Sequence, residues 1–150
     1  MTLGHWDIIQ RASKLYDEVI MAVVANPGKN PLLPIEIRAE LIERAVADLP
    51  GVTVGTFQGL TVDYAKNNKI SVIIRGLRAV SDYEAELGMA QTNKLLLPEL
   101  ETIFLMTKPE YSFISSSTVK EIAKLGGDVS LFVPPAVNSY LREHFSRGAE

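Results

Sequence analysis

The sequence has no cysteine, so it can hold neither a disulfide framework nor a thiolate metal site. Its two histidines, His5 and His144, stand far apart, and no group of residues has the spacing of a protein metal cage. Positive charge is not in excess: 15 Lys and Arg against 18 Asp and Glu leave a net charge of −3. A duplex-binding protein usually carries a basic face, so this balance argues against a nucleic-acid partner. A small anionic substrate, which needs only a local group of cations, stays open. Long hydrophobic runs are missing too. The most apolar stretch, Val19 to Ala25, is far too short to span a bilayer. Met1 to Ile9 has neither the basic start nor the apolar run of a signal peptide. These absences predict a soluble protein of the cytoplasm without a membrane partner. A phosphate loop of the Gly-x-x-x-x-Gly-Lys type is also absent.

What is there is the balance of a globular protein, 47% apolar and 22% charged residues, in a length that suits one domain over 1–150. Short apolar runs alternate with amphipathic stretches. Val19 to Ala25 reads as a strand buried on both faces. Val52 to Val54, Ser71 to Ile74 and Thr102 to Met106 read as three more, Ser71 to Ile74 ending at Arg75-Gly76. Ile37, Leu41, Ala45 and Leu49 recur at helical spacing. Tyr64 and Ala65 fall in a short helix, and Ser81 to Leu96 reads as a long one capped by Ser81 or Asp82. Ser115 to Leu125 and Pro135 to Phe145 complete the set, the former stopped by Gly126-Gly127. Alternating strands and helices predict an α/β domain with a mainly parallel sheet. In such sheets ligands bind beyond the carboxyl ends of the strands, where Asn26 to Lys29, Arg75 to Arg78 and Lys108 to Ser117 fall.

Four tracts carry candidate chemistry. Thr2-Leu3-Gly4-His5 opens a helix whose free N–H groups and dipole suit a phosphate. His5 could donate to a phosphoryl oxygen as charge develops, or be a plain surface histidine. Arg75-Gly76-Leu77-Arg78 offers two guanidinium groups fit for bidentate phosphate binding, or two solvated arginines pairing with Asp82 or Glu84. Ser112-Phe113-Ile114-Ser115-Ser116-Ser117 brings three hydroxyls to a helix start. One of them suffices as a cap, so the others invite a ligand. Lys29 gains weight only from the neighbours expected at the same sheet edge.

In this order and spacing, the tracts resemble bacterial phosphopantetheine adenylyltransferases. The most specific are Thr2-x-Gly4-His5, Ile74-Arg75-Gly76-Leu77-Arg78 and Tyr111-Ser112-Phe113-Ile114-Ser115-Ser116-Ser117, with Leu97-Pro98-Glu99-Leu100-Glu101 in support. The resemblance implies a Rossmann-like three-layer α/β/α fold with a parallel sheet. It also implies transfer of the adenylyl group of ATP to 4′-phosphopantetheine, giving dephospho-coenzyme A and pyrophosphate. His5 would contact ATP and stabilise the transition state. Gly76, Leu77, Arg78, Glu86 and Tyr111 through Ser117 would line the ATP site, with Ser112, Phe113, Ile114, Ser115 and Ser116 among them. Lys29, Thr61 and Arg75 would contact phosphopantetheine. Mg²⁺ would come with ATP, held by its phosphates and by no protein cage, and the assembly would be a hexamer. In that family a central strand and a Gly-Thr-Phe-Asp-Pro loop precede the Thr-x-Gly-His tract. Here Met1 precedes it directly, so the strand's place between Val19–Ala25 and Ser71–Ile74 is expected to be empty and turnover slow. Two rival readings are another nucleotidyltransferase of the same superfamily and a non-catalytic nucleotide-binding or assembly remnant.

Overall fold

A computed structural model describes residues 1–25 and 31–146. Helix α1 (Leu3–Ala12) leads into strand β1 (Val19–Ala25), followed by α2 (Ile35–Val46), β2 (Val52–Gln58), α3 (Thr61–Asn67), β3 (Val72–Leu77), α4 (Val80–Leu96) and β4 (Glu101–Met106). A 3-10 turn at Pro109–Tyr111 then precedes α5 (Ser116–Lys124) and α6 (Pro135–Ser146). This alternation of helices and parallel strands is a Rossmann-like α/β arrangement. The turn into β2 depends on Gly51, at φ +70, because a Cβ there would meet the Asp17 carbonyl oxygen at 2.2 Å.

The strands pair in two parallel couples. β1 lies beside β2 with Val19 opposite Val52, and β3 beside β4 with Val72 opposite Glu101. No strand among the described residues links the couples. The second edges of β1 and β3 instead border one cavity of about 780 Å³, walled by residues 19–22 and 24 of the former and 72–76 of the latter. Helix α1 touches both couples: Ile9 packs with Val23 of β1, and Ile8 lies against Gly76 of β3. This openness corrects one expectation. Val19–Ala25 is apolar throughout, yet only Val23 in it is buried, because the strand lines the cavity on one side.

The core is divided accordingly. Ile9, Val23, Ile42 and Val46 form one cluster between α1, β1 and α2. Val62, Ala65, Leu97 and Leu100 form a second beneath α3 and the end of α4. A third, including Leu41, Val119, Val133 and Leu141, joins α2, α5 and α6. Apolar burial of this kind is worth about 25 cal/mol per Å².

Several boundaries differ from the sequence reading. β2 runs four residues past Val54, to Gln58. β3 runs on through Arg75 and Gly76 to Leu77 instead of stopping before them. Gly76 does not make a bend: it pairs with Leu105, and a Cβ there would press on Ile8 Cγ1 at 3.0 Å, a contact that Ile8 would have to ease. At the start of α4 the N-cap is Ala79, not Ser81 or Asp82. Asp82, in the first turn, reaches back past the cap to accept the N–H of Arg78 at 3.0 Å.

Candidate active site

Thr2 stands extended at the N-cap of α1, with His5 one turn on. The Thr2 N–H donates to Nδ1 of His5 at 3.2 Å, and the Thr2 hydroxyl lies 2.8 Å from the same nitrogen. Nδ1 therefore acts as an acceptor and the ring proton sits on Nε2. The His5 ring borders the cavity and is reached by solvent, although protein atoms crowd the recess around it. Its pKa is lowered to about 4, first by burial in that recess, then by the positive charges of the Met1 amino group, Arg78 and Arg75. Accessibility decides that a ligand can reach the ring; the crowding and the three cations decide its charge.

The same cavity is bordered by Thr61, Arg75, Gly76, Arg78, Glu86 and by Ile114 through Ser117. Residues from α1, α3, β3, α4 and α5 thus converge at one place, as the sheet-edge argument expects. Arg75 donates to both carboxylate oxygens of Glu86, at 2.6 and 2.7 Å. This bidentate pair fixes the guanidinium plane on the cavity wall. Arg78 donates to both oxygens of Asp82 at 3.1 Å and to the Ile114 carbonyl at 3.2 Å. Those hydrogen bonds hold the Asp82 carboxyl below the usual carboxylate range, and they tie the end of β3 to the start of α5. At α5, Ser115 is the cap: its hydroxyl accepts the Thr118 N–H at 3.0 Å. Ser116 and Ser117, in the first turn, border the cavity, where the first N–H groups of a helix lack carbonyl partners.

Other candidates lie elsewhere. Leu77 is buried, and its carbonyl accepts the Thr107 N–H at 2.8 Å. Tyr111, Ser112 and Phe113 are not on the cavity wall, and Phe113 is largely exposed. Lys29 lies outside the described residues.

The cytidylyltransferase-like family model matches residues 1–122. The phosphopantetheine adenylyltransferase of Crocosphaera subtropica is 55% identical over 145 residues, which cover 97% of this chain and 92% of that protein. That of Synechococcus sp. (strain JA-3-3Ab) is 57% identical over 97% of this chain and 91% of its own length. That of Synechocystis sp. is 54% identical over 91% and 86%.

The chain belongs to the phosphopantetheine adenylyltransferase family.

In this family member the cavity joins a neutral imidazole, two guanidinium groups and a helix start, a set suited to binding and bringing together anions. Asp82 and Glu86 are committed to Arg78 and Arg75. Among the described residues no three His, Asp or Glu side chains form a group able to hold a metal ion. A divalent cation that arrived with a nucleotide would find its oxygen ligands on the phosphates. Sequence reasoning missed Thr107, which is nearly buried and borders the cavity beside both Gly4 and Gly76. It also missed the stacked pair Phe57 and Tyr64, 4.6 Å between ring centroids, on the wall near Thr61. Thr107 follows β4 directly, at a sheet end where position alone was a signal. The stacking of residues seven apart in a strand and a helix had no signal in the sequence.

Proposed function

We infer that the chain transfers the adenylyl group of ATP to 4′-phosphopantetheine, giving dephospho-coenzyme A and pyrophosphate. The observation that carries this reading is the convergence of His5, Arg75, Arg78 and the α5 start on one cavity in a chain over 50% identical to proteins of that name. The nucleophile is a phosphate and is already anionic, so the site needs no strong general base. It needs to hold two anions in line and to meet charge at the α-phosphorus. His5, neutral with its proton on Nε2, donates to an α-phosphoryl oxygen as the attacking oxygen bonds to phosphorus and pyrophosphate leaves. Gly76, Arg78, Glu86 and the stretch from Tyr111 to Ser117 hold the nucleotide. Thr61, Arg75 and Lys29 hold the pantetheine phosphate. Mg²⁺ enters with ATP and neutralises phosphate charge.

The reading extends to the assembly and the setting. Helix α4 buries no residue of its own and leaves Met89, Leu95 and Leu96 exposed, which suits self-association into the family's hexamer. A cytoplasmic setting is part of the same proposal, because both substrates are small soluble anions. No helix among the described residues is long and apolar enough to cross a membrane.

Pyrophosphate release from Mg·ATP with 4′-phosphopantetheine tests the reading, with CTP as the alternative nucleotide. Release that needs both ATP and the pantetheine phosphate is the expected result. Release with CTP in preference to ATP, or no release with either nucleotide, refutes the assignment.

A further inference from the structure

Asp7 lies two residues beyond His5 on α1 and is 1% exposed. A carboxylate so deeply buried is tolerable only when its charge is met. Its Oδ2 accepts from Nη1 of Arg11 at 3.2 Å and from the backbone N–H of Lys108 at 3.4 Å. Its Oδ1 accepts no hydrogen bond and lies 3.5 Å from Nζ of Lys108. Arg11 in turn donates to the Met106 carbonyl at 2.6 Å. One carboxylate thus joins α1 to residues 106–108, where β4 passes into the stretch that leads to Ile114–Ser117. Thr107, between the tethered residues, packs against the position of Gly4.

We propose that Asp7 is a positioning residue: it pins the segment from Lys108 to Ser117 against α1 and so sets the distance between His5 and the α5 start across which ATP is held. The proposal rests on the adenylyltransferase reading. The Asp7→Asn side chain keeps the shape and one acceptor oxygen but leaves Arg11 and Lys108 without their common counter-charge.

The test compares Asp7→Asn, Lys108→Met and the double variant by hydrogen–deuterium exchange without ligand and by calorimetric titration with Mg·ATP. In Asp7→Asn, uptake over 107–117 should rise severalfold while β2 stays unchanged, and the Kd for ATP should rise at least tenfold. Lys108→Met, which keeps its backbone N–H on Oδ2, should weaken ATP about threefold, and the double variant should be no worse than Asp7→Asn. A structural role alone would lower thermal stability and leave the Kd within twofold of wild type, which overturns the proposal. Uptake raised evenly through the chain overturns it too. If Asp7→Asn does not fold, Lys108→Met decides, because that side chain is 47% exposed: local uptake and weaker ATP support the pin, and no change in either refutes it. Wild-type protein that binds no ATP removes the adenylyltransferase reading itself. Tight wild-type binding with an unaffected Asp7→Asn removes only the pin.

Discussion

Replacing Gly4 by alanine separates the fold of the α1 start from its use. Gly4 is the second residue of α1 and lies on the cavity wall beside His5. A Cβ there would stand 3.5 Å from Thr107 Cγ2, 3.7 Å from the Thr2 hydroxyl oxygen and 3.7 Å from Tyr111 Cβ. All three are ordinary contact distances, so nothing in the protein must move. Alanine is also the better helix former by up to about 1 kcal/mol, which for a chain of this size is at most a few degrees of melting temperature. Gly4→Ala should therefore melt at or slightly above the wild-type temperature. A ligand phosphate that uses the bare backbone meets the new methyl group. Losing one hydrogen bond to a charged group costs about 1.5–3 kcal/mol, or roughly 10- to 100-fold in the Kd for ATP. Thermal unfolding and calorimetric titration of one preparation read both effects. Unchanged ATP affinity refutes a phosphate approach at Gly4, and a melting temperature more than about 5 °C lower refutes the packing argument.

Two further outcomes follow from the same wall. With its pKa lowered to about 4 from the ordinary 6.5, His5 is neutral through the range from pH 5 to 8. Between those values the unfolded chain binds the extra proton, so the stability contributed by His5 is complete above pH 6.5 and is lost as pH falls toward 4. An NMR titration of the ring should find its midpoint well below pH 6; a midpoint at or above 6 refutes the crowding and the cation neighbours as the controlling environment. Arg75→Met should raise the KM for 4′-phosphopantetheine at least tenfold with little change in melting temperature. The reason is that the pair with Glu86 is 43% and 21% exposed and contributes no more than about 1 kcal/mol to stability. A KM unmoved by the change places the pantetheine phosphate elsewhere.

The order of elements was legible in the sequence because each is a local pattern. The apolar runs gave β1 to β4, the helical spacing gave α2, and the run of serines gave the start of α5, though not which of them caps it. The chemistry was legible where residue type limits what a site can do. His5 after Thr2-x-Gly4, two arginines near a strand end and three serines at a helix start pointed to phosphate before any contact was known. Tertiary structure alone decided which atoms meet. Gly76 proved to be a close approach to Ile8 within a strand, because its neighbour comes from a helix about 70 residues away in the chain. The guanidinium of Arg75 went to Glu86 and that of Arg78 to Asp82 and Ile114, choices among several carboxylates that only folding makes. Asp7 shows the limit most clearly: on a helix it reads as one more solvated acid, and its burial against Lys108 comes from a contact 101 residues away in sequence. Patterns along the chain determine the elements and the kind of ligand; distances across it determine which side chain holds which.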